Sequence, residues 1–298
     1  MDVTRLLHPI LLIPFTALLF SSGLSAESEP FSTDGIDRLQ ILTDVQEIVP
    51  GETLSVGLLV SPAPGHHTYW KGPGIVGVAT SIEWNLPRGF QAGPIIWPTP
   101  EKVDMVGIEA NGYRREVILL TEIKVPENIT DTSVELNLKS AWMACSTSCN
   151  PGVAELSLSL PVKAEGGTSL RNKSLSKRFQ AIRDALPPAA PETWKMKVSR
   201  SGREEITLTL SAPGLKREQV DSLEFFCDDM QVNSDEPIEI NELAAQTETF
   251  ELRFARPTFA PSDPEVFSGL LKGKANWPNL DSTWVEISVP WKRQSSHE

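Results

Sequence analysis

Hydrophobic and polar residues alternate along most of this 298-residue chain. The segments SIEWNL, EVILLTEIKV, SVELNLKSAW and AELSLSLPV place apolar side chains at every second position, with polar residues between them. A period of two is typical of antiparallel strands that bury one face. Turn-forming clusters such as SPAPG, LPRGF and WPTPE separate these segments. The pattern predicts a β-sandwich in the first half of the chain.

The period changes in SLSKRFQAIRDALPP, where Leu175, Phe179, Ile182 and Leu186 follow one another at intervals of four, three and four. This spacing predicts a short amphipathic helix that ends at two prolines. Beyond it, WKMKV, EITLTLS, TFELRFA and WVEISVPW return to the two-residue alternation. We therefore expect an all-β protein in which a short helical linker joins the first sandwich to a second β-sandwich-like domain.

The N-terminus has the layout of a secretory signal peptide. One arginine, Arg5, precedes an apolar run from about Pro9 to Phe20, and small residues lead to expected cleavage after Ser25 or Ala26. The run is short for a membrane span, and no later segment approaches the ~20 apolar residues of a transmembrane helix. We expect an exported mature chain without a membrane span. The predicted segments are a signal peptide at 1–26, a first β domain at 27–164, a linker with the short helix at 165–191 and a second β domain at 192–292.

Charge and motif content narrow the possible functions. The formal net charge is -12, and no basic run is present, so nucleic acids and anionic membrane surfaces are unsuitable partners. The sequence contains no phosphate-binding loop, zinc-hydrolase helix or recognisable Ser-His-Asp arrangement. We therefore expect neither hydrolase nor kinase chemistry, and no cofactor.

The segment AWMACSTSCNPG contains two of the three cysteines, Cys145 and Cys149. A disulfide needs Cα atoms roughly 4.4 to 6.8 Å apart, whereas residues four apart in one extended strand are about 13 Å apart. The chain must therefore turn between them if they are bonded. A strand-like run precedes the pair and a turn is expected at 150–152. The sequence predicts a hairpin with the pair at its tip or neck, between strands that end near Trp142 and begin near Val153.

Energetics leaves two roles open for such a pair. On the chain-entropy model, closing a loop of about five residues contributes only about 2 kcal/mol to stability. A tight, accessible bridge at a hairpin tip is open to attack by a partner's thiolate. Spacing alone does not separate a structural clip from a redox centre.

Four motifs, in this order, resemble the N-terminal region of bacterial thiol:disulfide interchange proteins of the DsbD and ScsB type: GHHTYWKGPGIVG, SIEWNLPRGFQAGPIIWPTPE, GIEANGYRREVILLTEI and WMACSTSCNPG. The likeness covers roughly residues 34 to 163 and is closer to the ScsB-like branch. It implies an immunoglobulin-like sandwich for the first domain. The second half, with EFFCDDMQV and FSGLLKGKANW, is similar to the accessory β domain of that branch.

The resemblance also implies a function. Cys145 and Cys149 would be a redox pair that receives electrons from a membrane-embedded protein and reduces periplasmic thioredoxin-like partners, such as disulfide isomerases. The sequence ends at WKRQSSHE without the membrane and thioredoxin-like domains of the family, so we expect the donor to be a separate protein. The mature chain would be periplasmic, and the family's themes include cytochrome c biogenesis and copper tolerance.

Aromatic residues and histidines near the start of the first domain form a candidate cap over the disulfide. His67, Tyr69 and Trp70, with His66 beside them, lie in the first of the four motifs. The simpler interpretation is a turn followed by an interior aromatic residue. Trp70 is more consistent with a residue that packs in the core than with one that binds a ligand.

Two further functions remain open. Cys145, Cys149, Met143 and His66 would suit a soft copper(I) ion, which makes a copper-binding module the second hypothesis. A non-catalytic interaction domain with a structural disulfide is the third. The remaining cysteine, Cys227, follows two aromatic residues, which favours a buried, inert thiol over an intermolecular bridge.

Overall fold

The computed structural model describes residues 26–163, 167–244, 248–262 and 264–291. Within these ranges strands dominate, and every strand pair in the five sheets is antiparallel. The predicted signal peptide, apart from Ala26, lies outside the described residues. No helix in the described part of the chain is long and apolar enough to cross a membrane.

The first half of the chain forms the predicted sandwich. Its strands are β1 (Phe31–Thr33), β2 (Ile36–Thr43), β3 (Thr53–Pro62), β4 (Thr68–Tyr69), β5 (Ser81–Asn85), β6 (Gln91–Ile96), β7 (Glu101–Met105), β8 (Ile108–Tyr113), β9 (Val117–Lys124), β10 (Ser133–Cys145) and β11 (Cys149–Pro161). A five-stranded sheet, β1-β2-β3-β9-β6, packs on a three-stranded sheet, β11-β10-β5. Alternate side chains from both sheets fill the core, among them Leu58, Leu119, Leu136 and Leu158. A third, smaller sheet, β4-β8-β7, lies beside the sandwich and shapes the site described below.

The predicted helix, α1 (Lys173–Asp184), packs on the first domain. The side chain of Asn172 caps its N-terminus by accepting two backbone N–H groups of the first turn. Leu175 and Phe179 are buried against Ile118 and its neighbours on the outer face of the five-stranded sheet. The helix therefore covers a sheet face in addition to connecting the two halves.

The second half is another β-sandwich, as expected. Its elements are β12 (Lys195–Ser201), β13 (Glu205–Ser211), α2 (Arg217–Val220), β14 (Glu224–Cys227), β15 (Glu239–Ala244), β16 (Thr249–Ala255), β17 (Val266–Lys272) and β18 (Trp284–Pro290). The sheets β12-β13-β16-β15 and β14-β17-β18 enclose a separate core that includes Leu208, Phe254, Phe267 and Ile287. The all-β, immunoglobulin-like class predicted from the alternation and the motifs is confirmed.

The two sandwiches meet in a close contact. Phe226 of β14 packs with the core of the first domain, and its ring lies edge-on to Trp70 with 6.3 Å between centroids. Next to it, a Cβ on Gly72 would lie 1.9 Å from the carbonyl oxygen of Cys227. Only glycine allows this approach of the two backbones.

Candidate functional site

The disulfide lies at the neck of the β10–β11 hairpin. The strands pair without interruption from Ser133 and Pro161 to Cys145 and Cys149, which are the last pair before the turn. The Cα atoms of the bonded cysteines are 4.2 Å apart. A three-residue turn closes the hairpin, with Ser146 N–H donating to the carbonyl of Ser148 at 2.9 Å. The predicted turn between the cysteines is confirmed.

The strands extend further toward the turn than the sequence suggested. The expected turn at 150–152 is wrong, because these residues belong to β11 and pair with residues 142–144 of β10. Pro151 is tolerated because β11 is an edge strand, whose outer N–H groups need no partner strand. Gly152 is needed because a Cβ there would lie 2.4 Å from the Trp142 ring. These two residues fit a strand edge and a close contact, not a turn.

The two cysteines of the bridge differ in exposure. Cys145 is 0% exposed, because it packs in an apolar cluster with Tyr69, Val103 and Ala110. Its backbone also exchanges two hydrogen bonds of 2.9 Å with His67. Cys149 is exposed, because it begins the edge strand. A thiolate arriving from solvent therefore meets the Cys149 Sγ and not the Cys145 Sγ.

A second hairpin covers part of the exposed sulfur. Strands β7 and β8 form this hairpin, which we call the cover hairpin (residues 101–113). The Sδ of Met105, at its tip, lies 3.8 Å from the Cys149 Sγ. The turn residues Val106 and Gly107 both have positive φ, and Val106 is 68% exposed. The disulfide is thus accessible from one side and shielded by a thioether on another.

The sequence analysis did not single out Met105. Its position beside the disulfide depends on how the cover hairpin packs against the end of the β10–β11 hairpin. No local sequence pattern predicts this packing. A methionine beside a glycine turn is the one hint that the segment offers. The same hairpin supplies Val103 and Ala110, which pack with Tyr69 and Cys145 in a small apolar cluster.

His67 and Tyr69 lie beside the disulfide, as the cap hypothesis requires. The Nε2 of His67 is 3.2 Å from the Tyr69 hydroxyl, and both side chains are buried. Burial lowers the pKa of His67, and the positive charge of Arg114 lowers it further, so the imidazole is neutral at pH 7. Burial raises the pKa of Tyr69 to about 12, which keeps its hydroxyl protonated.

The other candidate residues occupy two different places. His66 lies next to the hairpin turn, with its Nε2 3.3 Å from the Ser146 hydroxyl. It lines a cleft of about 480 Å³, together with neighbours that include Asp104 and Arg114. Trp70 is not grouped with the disulfide, because its ring lies in the sandwich core against Phe226.

The residues of the alternative copper site are partly grouped. Met143 packs, half-buried, on the cluster that contains Cys145 and Met105. In the described ranges, no three residues of the His, Cys, Asp and Glu types form a group that could hold a metal ion. Cys227 is buried, as predicted, and burial together with the nearby Asp229 carboxylate raises its thiol pKa well above the usual value.

Residues 39–161, which include both cysteines of the bridge, match the family model described as thiol:disulfide interchange protein DsbD, N-terminal. The chain has no significant match among curated proteins. It is similar to the crystal structure of the N-terminal periplasmic domain of ScsB from Proteus mirabilis, with 17% sequence identity and a TM-score of 0.58. The alignment covers 90% of this chain and 99% of that one, and at this identity it shows a shared fold. The resemblance inferred from the motifs is confirmed for residues 39–161, which match the DsbD N-terminal model.

Proposed function

We propose that this protein exchanges thiols and disulfides with thioredoxin-like proteins through Cys145 and Cys149. One observation carries the proposal: the exposed Cys149 Sγ is bonded to a fully buried Cys145 Sγ, under a partial cover. This arrangement gives a partner one sulfur to attack. It also keeps the second sulfur within bonding distance for the resolving step.

The exchange proceeds in two balanced steps. In the reduced protein, the Cys149 thiolate attacks one sulfur of the partner's disulfide, forming a mixed disulfide and releasing the partner's other sulfur as a thiolate. The Cys145 thiolate then attacks the Cys149 Sγ, which closes the intramolecular bridge and releases the second partner thiolate. Two electrons pass to the partner. A dithiol donor reverses these steps to regenerate the reduced pair.

The structural-clip alternative is weakened by the small contribution to stability of a bridge across so short a loop. Thirteen residue pairs already join β10 to β11, down to the cysteines themselves. A bridge across a loop of about five residues adds only about 2 kcal/mol on the chain-entropy model. Stability gives little reason for a disulfide at this position.

The proposal also includes the electron donor, the electron acceptors and the location of the protein. We infer that a separate membrane-embedded protein donates electrons and that periplasmic thioredoxin-like proteins, including disulfide isomerases, accept them. The DsbD-type domain supports this class of partner. The signal-like N-terminus and the periplasmic origin of the similar ScsB domain support export to the periplasm.

The test is the reduction potential of the pair in a Cys227→Ser background, measured by equilibration with glutathione and trapping of free thiols. Structural disulfides usually lie below about -300 mV, so we expect a higher value here. Exchange with a purified thioredoxin-like protein should disappear in Cys149→Ser. A bridge that stays closed in every glutathione buffer would contradict the proposal.

Copper(I) binding is the second candidate, and Met105 is the observation that favours it. Its Sδ adds a soft ligand 3.8 Å from Cys149, and Met143 lies in the same cluster. The reduced pair would supply two thiolates. We expect Met105→Leu to weaken Cu(I) binding in competition with a chromophoric chelator, and an unchanged affinity would remove this candidate.

A further inference from the structure

The cover hairpin contacts the second domain next to its tip. Strand β4 pairs with β8 only at Tyr113 and Gly112, so within the described residues the rest of the outer edge of β8 has no strand partner. Unpaired backbone groups at an edge need other partners. At Glu109 they find them in the second domain: its N–H donates to Asp235 Oδ1 at 2.8 Å, and its carbonyl accepts from the Ser234 hydroxyl at 2.7 Å.

Ser234 also contacts the other strand of the cover hairpin. The ammonium of Lys102, on β7, donates to the backbone carbonyl of Ser234 at 3.0 Å and lies 5.4 Å from the centre of the Phe226 ring. Ser234 is 8% exposed, and its hydroxyl also accepts the N–H of Ile75 at 3.2 Å. A Cβ on Gly74 would lie 2.1 Å from the Ser234 hydroxyl oxygen, so glycine permits this approach.

These contacts are close to the residue that shields the disulfide. Glu109 pairs with Asp104, and the next pair toward the turn is Met105 with Ile108. The attachment to the second domain is therefore one residue pair away from Met105. A hairpin held this close to its tip cannot swing away from Cys149 without breaking hydrogen bonds to the second domain.

We propose that the second domain holds the cover hairpin over the disulfide, with Ser234 and Asp235 as positioning residues that control access to Cys149. The consequence for exchange with proteins rests on the function proposed above. The shielding of the disulfide from small molecules does not rest on it, because the cover hairpin blocks one side of the Cys149 Sγ for any dithiol.

The experiment measures reduction of the mature, full-length protein by dithiothreitol. One dithiothreitol thiolate attacks the Cys149 Sγ and releases the Cys145 thiolate, and the second dithiothreitol sulfur then closes its ring and releases the Cys149 thiolate. The principal variant is Asp235→Ala, because Asp235 is exposed and its loss leaves both cores intact. We expect reduction roughly fivefold faster than in the wild type, the effect of losing about one hydrogen bond that holds the hairpin closed. Amide hydrogen exchange of residues 101–113 should accelerate with it.

Three companion variants make the result specific. Asp235→Asn retains an acceptor for the Glu109 N–H and should restore a rate near that of the wild type. Asp221→Ala removes an exposed ion pair with Arg217 in the same domain and should leave the rate unchanged. In a Met105→Ala background, where the cover is already removed, Asp235→Ala should add nothing. Simple destabilisation would not reproduce this dependence on Met105.

The two proposals fail in different ways. If Asp235→Ala and Ser234→Ala leave both the dithiothreitol rate and the hydrogen exchange of the hairpin at wild-type values, the positioning role is overturned. An Asp235→Ala effect that persists in full without Met105 would overturn it as well. If the wild type reacts with dithiothreitol as described but never exchanges with a thioredoxin-like protein, the function fails while the positioning role stands.

Discussion

The Sδ of Met105 lies 3.8 Å from the Sγ of Cys149, although 44 residues separate them in the chain. The contact joins the tip of one hairpin to the neck of another. It shields the one sulfur of the disulfide that solvent reaches, because Cys145 is fully buried. Access to the Cys149 Sγ from this side therefore depends on the position of the cover hairpin.

Met105→Ala should speed reduction of the disulfide. Removing the thioether clears one approach to the Cys149 Sγ, and we expect the dithiothreitol rate to rise at least about fivefold, no less than in Asp235→Ala. Met105→Leu keeps most of the bulk and should stay near the wild-type rate. The rates are measured by maleimide trapping of the free thiols. Wild-type rates for both variants would show that Met105 does not shield the sulfur.

The two thiols of the reduced protein should react at different rates. In a Cys227→Ser background, Cys145→Ser leaves an exposed thiol at Cys149, and Cys149→Ser leaves a buried one at Cys145. We expect the buried thiol to react with Ellman's reagent at least about tenfold more slowly, because it reacts only through local opening. Similar rates would contradict the assignment of Cys149 as the attacking residue.

His67 should make the protein less stable in acid. Its pKa is lowered in the folded protein, so above the unfolded-state pKa of about 6.5 both states are neutral and the histidine has no effect on pH dependence. As the pH falls below that value, the unfolded state takes up the proton first and the free energy of unfolding decreases. Urea unfolding at pH 7.5 and pH 5 should therefore show a smaller loss in His67→Gln than in the wild type.

The control for His67 is His66→Gln, which removes the neighbouring, partly exposed imidazole from the same loop. If the two variants change the pH dependence equally, burial of His67 is not its cause.

Gly72→Ala should separate the two domains locally. The new methyl would meet the carbonyl oxygen of Cys227 at 1.9 Å, and a backbone atom cannot move aside as a side-chain end does. We expect a loss of about 3 kcal/mol in the free energy of unfolding, the upper range for overpacking. Gly202→Ala is the control, because it meets no atom within 4 Å and incurs only the strain of its positive φ, about 1 kcal/mol. Equal losses would show that the domain contact yields easily.

Phe179→Ala tests whether helix α1 is part of the first domain. The ring is 0% exposed against the outer face of the five-stranded sheet. Its removal should cost about 3–5 kcal/mol of stability. Gln180→Ala, on the exposed side of the same helix, should change stability by about 0.5 kcal/mol or less. A cost below about 1 kcal/mol for Phe179→Ala would indicate a helix that only links the domains.

Several features followed from the sequence because they depend on neighbouring residues. The two-residue alternation identified strands in both halves, since side chains of a strand point to opposite faces. The interval between Cys145 and Cys149 required a turn, because an extended chain places them too far apart to bond. The two aromatic residues before Cys227 pointed to a buried thiol. Each of these inferences uses local geometry alone.

Other features depended on contacts between distant segments. Ile118 and Leu120 are buried because helix α1 covers the face of β9 that an isolated sandwich would leave to solvent. Pro151 and Gly152 lie in a strand because β11 is at a sheet edge and Gly152 faces the Trp142 ring.

The candidate site also combines features that local sequence predicts with features that depend on long-range contacts. Local spacing determined that the cysteines lie at a turn of a hairpin. Only the tertiary structure decided that Cys145 is buried, that Met105 covers Cys149, and that Ser234 and Asp235 hold the cover hairpin. The physical reason is that hydrophobic periodicity specifies which face of a strand is buried, whereas the partner that buries it is chosen by packing over the whole chain.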